Sequence, residues 1–125
     1  MIDLSNIRRA LLIAYIIALL AVTLAPVPGS VYPQSGLDKL VHVALFGGLA
    51  FLIMWNLGWR RITIVEALGL TVLAAILIEA LQGVLPFRNA DTWDFVAGTV
   101  GALLGIVLAG AARRLKHSRD SISTD

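Results

Sequence analysis

Between Glu79 and Asp94, a mostly apolar chain carries a carboxylate, an amide, a guanidinium and two more carboxylates. Glu79 and Gln82 lie three apart and share a helical face. Pro86 breaks that helix, and Arg88, Asp91 and Asp94 follow in the joint and at the start of the next apolar run. A second group, Asp38, Lys39 and His42, opens an earlier apolar run, with Asp38 and His42 four apart on one face. Histidine and carboxylates can move protons, which makes Glu79, His42 and Asp94 the catalytic candidates; Lys39 and Arg88 can balance an anion. No nucleophile motif accompanies them. The carboxylates and His42 could hold a divalent ion, but no spacing demands it, so no metal is assigned and the cofactor is left open.

The elements that must position these residues are membrane helices. The chain has 125 residues, of which 58% are hydrophobic and 14% charged, and its mean hydropathy is +0.87. Crossing the bilayer core takes about 20 apolar residues, and four runs qualify, at about 7–25, 38–57, 62–81 and 92–112. The expected fold is therefore all-α, an up-down bundle of four transmembrane helices over 1–112, with a basic, flexible tail over 113–125 and an irregular loop over 27–37. The first run also fits a secretory signal, but it is longer than the usual 7–15 residues, and Pro26 follows the nearest small-residue site, so a retained helix is favoured. Cys is absent, which excludes disulfides and thiolate ligands.

Much of the polar and small-residue pattern has a plain structural reading. Asp38 suits an N-cap or first helical turn, Lys39 can snorkel, Glu66 suits a helix start, and Asp91 can cap the fourth span with Asp94 in its first turn. Trp55 and Trp59 suit a membrane interface. Gly47 and Gly48 permit close helix approach, and Gly98, Gly101 and Gly105 form a small-residue packing face that permits a homo-oligomer without requiring one. Glu79 resists such a reading. It lies near a helix C-terminus, inside apolar surroundings, and needs a proton or a cation; Arg88 is the expected partner, with His42 nearby and Lys39 in reserve.

Charge sets the expected orientation. Arg8, Arg9, Arg60, Arg61, Arg113, Arg114, Lys116 and Arg119 fall on one side of a four-span topology, and only Lys39 and Arg88 on the other. The positive-inside rule then puts both termini in the cytoplasm, and the basic pI of about 9.5 reflects topology, not nucleic-acid binding. Asp38, Lys39, His42, Glu79, Gln82, Arg88, Asp91 and Asp94 would surround one outward-facing binding pocket, toward which two helix N-termini point.

At these residues the chain resembles the VanZ-like family of small membrane proteins. The resemblance is carried by Asp38-Lys39-x-x-His42, Glu79-x-x-Gln82, Arg88, Asp94 and the glycines Gly101 and Gly105, and it covers the second to fourth spans. Gly98 stands where the family often has an Asn. The family takes its name from a protein associated with low-level teicoplanin resistance, so the resemblance implies a bacterial inner-membrane location and a link to the cell envelope.

Three functions are expected, in descending order. The pocket binds an anionic lipid headgroup or a lipid-linked envelope precursor, with glycopeptide tolerance as a consequence. Alternatively it is an enzyme acting on a lipid-linked substrate, with Glu79 or His42 as base and Arg88 stabilising negative charge. A small multidrug-type transporter comes last, because Glu79 lies near one edge and the first span has no charge inside.

Overall fold

The structure, a computed structural model, describes residues 3–26, 36–88 and 90–122. It contains four helices, α1 (Leu4–Leu24), α2 (Leu37–Leu57), α3 (Arg61–Val84) and α4 (Thr92–Ile122), each long and apolar enough to cross a membrane. No strand occurs among the described residues. Most of the loop expected over 27–37 lies outside them.

Local chemistry explains the helix ends. Asp3 caps α1, its carboxylate accepting from the Ser5 amide at 2.9 Å, so the helix begins before the apolar run does. Gly58 ends α2 at φ 81°, a left-handed angle that favours glycine, and its amide donates to the Met54 carbonyl. Thr63 starts α3 by accepting from the Arg60 amide at 2.8 Å. Glu66, read as an acid near the helix start, lies just past the first turn of α3, which begins at Arg61 and holds no acid in that turn. Asp38 lies in the first turn of α2, whose N-cap is Gly36.

At its far end α4 runs to Ile122, ten residues past the expected span. Where a frayed tail was expected, residues 113–122 are helical: Arg, Leu and Lys favour helix, and no Gly or Pro follows Gly110 to stop it. At 1.5 Å per residue, its 31 residues measure roughly 46 Å, more than the hydrocarbon core needs.

The core is built on small residues. Ala50, Ala67, Ala75 and Ala102 are at most 1% exposed, with Phe46, Leu49, Met54 and Ile78 filling the space between them. Larger aliphatic side chains such as Ile17, Leu73, Leu77, Leu104 and Val107 point outward, the arrangement a lipid solvent rewards and water penalises. Two buried hydroxyls are satisfied within their own helices: Thr23 donates to Leu19 O and Thr71 to Ala67 O.

The tightest seam joins α2 to α4, which run parallel. A Cβ on Gly101 would overlap the Val43 carbonyl, and one on Gly105 would overlap that of Gly47. A Cβ on Gly98 would press the Phe46 ring at 3.0 Å. On the other face of α2, Gly48 makes room for Tyr15 of α1, whose hydroxyl donates to Leu45 O at 2.8 Å. The seam fixes the start of α2 beside the start of α4, and thereby assembles the polar end.

Candidate functional site

At that end α1 finishes, α2 begins, α3 finishes and α4 begins. Lys39 reaches from α2 to the α4 entry, with its ammonium 3.2 Å from Asp91 and 3.8 Å from Asp94. Asp91 also caps α4, its Oδ1 accepting from the Trp93 amide at 2.9 Å. The Trp93 amide, then the Lys39 ammonium, hold the Asp91 carboxyl below its ordinary value.

His42 lies one turn below Lys39, 4% exposed. Its Nδ1 is 3.0 Å from the Asp38 carbonyl and 3.9 Å from the Asp38 carboxylate. A carbonyl can only accept, so Nδ1 carries the proton, and a neutral ring keeps its lone pair on Nε2. That atom is buried and has no hydrogen-bond partner. The ring stacks on Phe46 four residues on, with centroids 6.0 Å apart and planes 15° apart. Gly98 leaves the space that Phe46 occupies, so this glycine seats an aromatic ring.

Asp94, on the first turn of α4, is as buried as His42, and its Oδ1 receives no hydrogen bond. Asp38, His42 and Asp94 each present a ligand-type atom, all within 4.8 Å of one another.

Glu79 and Arg88 do not form the ion pair expected between them. Arg88 turns toward α1: Nε donates to Thr23 O at 3.1 Å, and a terminal nitrogen contacts both Thr23 O and Val22 O. Gln82 donates to the same Thr23 carbonyl at 2.7 Å. The last carbonyls of a helix lack partners within it and form the negative end of its dipole, so they attract a guanidinium as a carboxylate would. Glu79 instead uses Oε2 to accept from the Asp91 amide at 3.0 Å, while its Oε1 has no partner. Thus α3 holds the α4 entry through Glu79 and the end of α1 through Gln82, and Arg88 locks the intervening joint to α1.

The eight expected residues therefore form two linked groups. Lys39, Asp91, Asp94, Asp38 and His42 meet across α2 and α4, with Glu79 joined through the Asp91 backbone; Gln82 and Arg88 face α1. Sequence reasoning missed Thr23, whose carbonyl is the common acceptor, and Phe46. A backbone acceptor leaves no sequence signal, but the four-residue spacing of His42 and Phe46 was available.

The opposite end also holds basic residues. Arg8 lies 5.3 Å over the Trp55 ring, and cavities of about 860 Å³ and 470 Å³ lie beside Trp59 and Arg113. Neither is near the polar cluster.

No curated protein and no solved structure matches the chain. Residues 10–113 match the VanZ/LLP1 family, a stretch that enters all four helices, and this multi-pass membrane chain therefore belongs to that family.

Proposed function

We propose that the polar end of the bundle is a binding site for an anionic component of the bacterial envelope, a phospholipid headgroup or a lipid-linked precursor, and that it opens on the outer face of the inner membrane. The observation that carries this reading is the meeting of Lys39, His42, Asp91 and Asp94 where two helices begin. Helix N-termini favour anions, and Lys39 is exposed enough to exchange a carboxylate for a ligand. The charge asymmetry between the two ends supports cytoplasmic termini and hence an outward site. Glycopeptide tolerance, teicoplanin above all, would follow from altered presentation of envelope precursors.

A second reading is favoured by one feature. His42 Nε2 and Asp94 Oδ1 are buried polar atoms without hydrogen-bond partners, and such atoms are costly unless used. They support acid–base chemistry on a bound lipid-linked substrate, with His42, Glu79 or Asp94 moving the proton.

Native mass spectrometry of protein in lipid nanodiscs, with anionic lipid or lipid-linked precursor added, tests both. The binding reading expects retained ligand of unchanged mass in wild type and loss of it in Lys39→Ala. Altered mass would select the enzyme. Equal retention of neutral and anionic lipids would exclude both. Reporter fusions at the C-terminus and in the Gly58–Arg61 turn should report cytoplasm; an outer C-terminus would overturn the orientation.

A further inference from the structure

The polar end has a charge problem for a site that takes anions. Asp38, Glu79, Asp91 and Asp94 contribute four carboxylates. Against them, Arg88 is spent on the carbonyls of Val22 and Thr23, which leaves Lys39 shared between Asp91 and Asp94. At the deepest part of the cluster the Lys39 ammonium reaches Asp94 only at 3.8 Å, farther than its 3.2 Å contact with Asp91. There, Asp38 and Asp94 bring two carboxylates within 4.8 Å of each other and of a ring nitrogen of His42. Like charges held so close need a proton or a positive ion between them.

Two further observations point to an ion. Asp94 is 4% exposed and its Oδ1 has no hydrogen-bond partner, although it belongs to the three-residue cluster. His42 is equally buried, and its Nδ1 is oriented by the Asp38 carbonyl, the kind of outer contact that fixes the tautomer of a metal-ligating histidine and leaves the other nitrogen free to coordinate. A cation between the three side chains would satisfy both atoms.

We infer that Asp38, His42 and Asp94 bind a divalent transition-metal ion of the zinc or manganese type. One imidazole and two carboxylates match zinc's nitrogen and oxygen donors, whose bonds run at about 2.0–2.2 Å, whereas calcium and magnesium favour oxygen alone. Three protein ligands leave a coordination position open, as in zinc sites that take a water or a substrate. Lys39 does not compete for the same place. Its ammonium is closer to Asp91 than to Asp94, so it keeps Asp91 when the ion takes Asp94. The ion then supplies the positive charge that the helix N-termini alone do not, and its open position is where a phosphate oxygen docks. This role in docking rests on the reading of the polar end as an anion site; the metal site itself does not.

The test uses full-length protein purified in detergent through a tag without histidine. After stripping with EDTA and dialysis against zinc or manganese chloride, inductively coupled plasma mass spectrometry should find about one ion per chain, and titration of zinc chloride should give a saturable curve. His42→Gln and Asp94→Asn should each weaken zinc binding by at least tenfold, while His117→Gln, at the far end of α4, should leave it unchanged. Zinc should raise the thermal midpoint of wild type and not of His42→Gln, a readout that identifies a variant that has simply unfolded. Failure of wild type to take up either ion, or uptake undiminished in His42→Gln and Asp94→Asn, overturns the metal site. Anionic lipid that binds equally well in EDTA overturns the docking role of the ion and leaves the binding reading standing. One bound ion with no anionic lipid binding under any condition upholds the metal site and removes the anion reading.

Discussion

The two ends of this bundle treat their ionisable residues in opposite ways. At the basic end, Arg8 lies against the face of Trp55, Arg113 contacts the Trp59 carbonyl, and residues 111–121 of α4 are exposed. At the polar end, His42 and Asp94 are withdrawn from solvent and retain atoms with no hydrogen-bond partner. The basic end has two cavities beside Trp59 and more net charge; the polar end has the buried atoms without hydrogen-bond partners. Charge beside a cavity can be explained by topology and by amphipathic side chains anchoring at an interface. Buried polar atoms without partners cost free energy that folding alone gives no reason to spend. The difference teaches that cavity volume is a poor guide to chemistry in a small membrane bundle, and the cost of the buried groups a better one.

The severest way to break the comparison is to cut the seam that holds both ends in one body. Gly105→Leu drives a side chain into the Gly47 carbonyl, a backbone atom that cannot swing away. The expected loss is at or above the roughly 1–3 kcal/mol usual for overpacking, seen as little folded protein in detergent. Gly69→Leu is the control, since Gly69 is exposed and nothing lies within 4 Å of its Cβ position. Equal yields from the two variants would refute the seam.

Arginines at the two ends give the next contrast. Arg88→Ala removes donors from the carbonyls of Val22 and Thr23 and should destabilise by about 2 kcal/mol, because hydrogen bonds to charged groups are among the stronger ones. Arg113→Ala, at an exposed residue with one long contact, should change stability by no more than about 0.5 kcal/mol. Denaturant midpoints of both variants decide this. A reversed order would mean that the basic end is the structural anchor.

A double-variant cycle sharpens the picture inside the polar end. Arg88 and Glu79 make no ion pair, so Arg88→Ala and Glu79→Gln should be additive to within about 0.5 kcal/mol. Lys39→Ala and Asp91→Asn should show coupling of roughly 0.2–1 kcal/mol, modest because both side chains are about two-fifths exposed. Coupling above about 1 kcal/mol between Arg88 and Glu79 would restore the pair that the sequence suggests.

That pair shows where sequence reading stops. Four spans are legible because a membrane demands long apolar runs, and the α2 and α4 entries are legible because Asp38, His42, Asp91 and Asp94 lie at helical spacings and capping positions. Their convergence follows from counting spans. The partner of Arg88 is not legible, because an unpaired carbonyl at the end of α1 belongs to every helix end and leaves no mark in residue types. Glu79 shows the same limit, since it found the backbone amide of Asp91 and not a cation. The length of α4 was missed for a different reason: hydropathy marks where a span leaves the membrane, and helix propensity can carry it further.

The smallest effect compares two exposed carboxylates, one at each end, by pH and salt. Asp3 is held below its ordinary value first by hydrogen bonds from the Ser5 amide and hydroxyl, with Arg9 a lesser cause. Asp91 is lowered first by the Trp93 amide and next by Lys39. A lowered carboxyl pKa adds stability that is fully present above the ordinary aspartate value of about 3.9 and is lost as pH falls through the lower folded-state value. Asp91→Asn and Asp3→Asn should therefore each flatten the acid limb of the thermal midpoint below about pH 4. Salt separates them: screening weakens the Lys39 attraction and leaves hydrogen bonds largely intact, so added salt should shrink the Asp91 contribution more than that of Asp3. Parallel acid limbs for wild type and Asp91→Asn would show that Asp91 adds no pH-dependent stability. Equal salt sensitivity at the two ends would mean that Lys39 contributes little to holding Asp91, leaving the α4 cap as what fixes it.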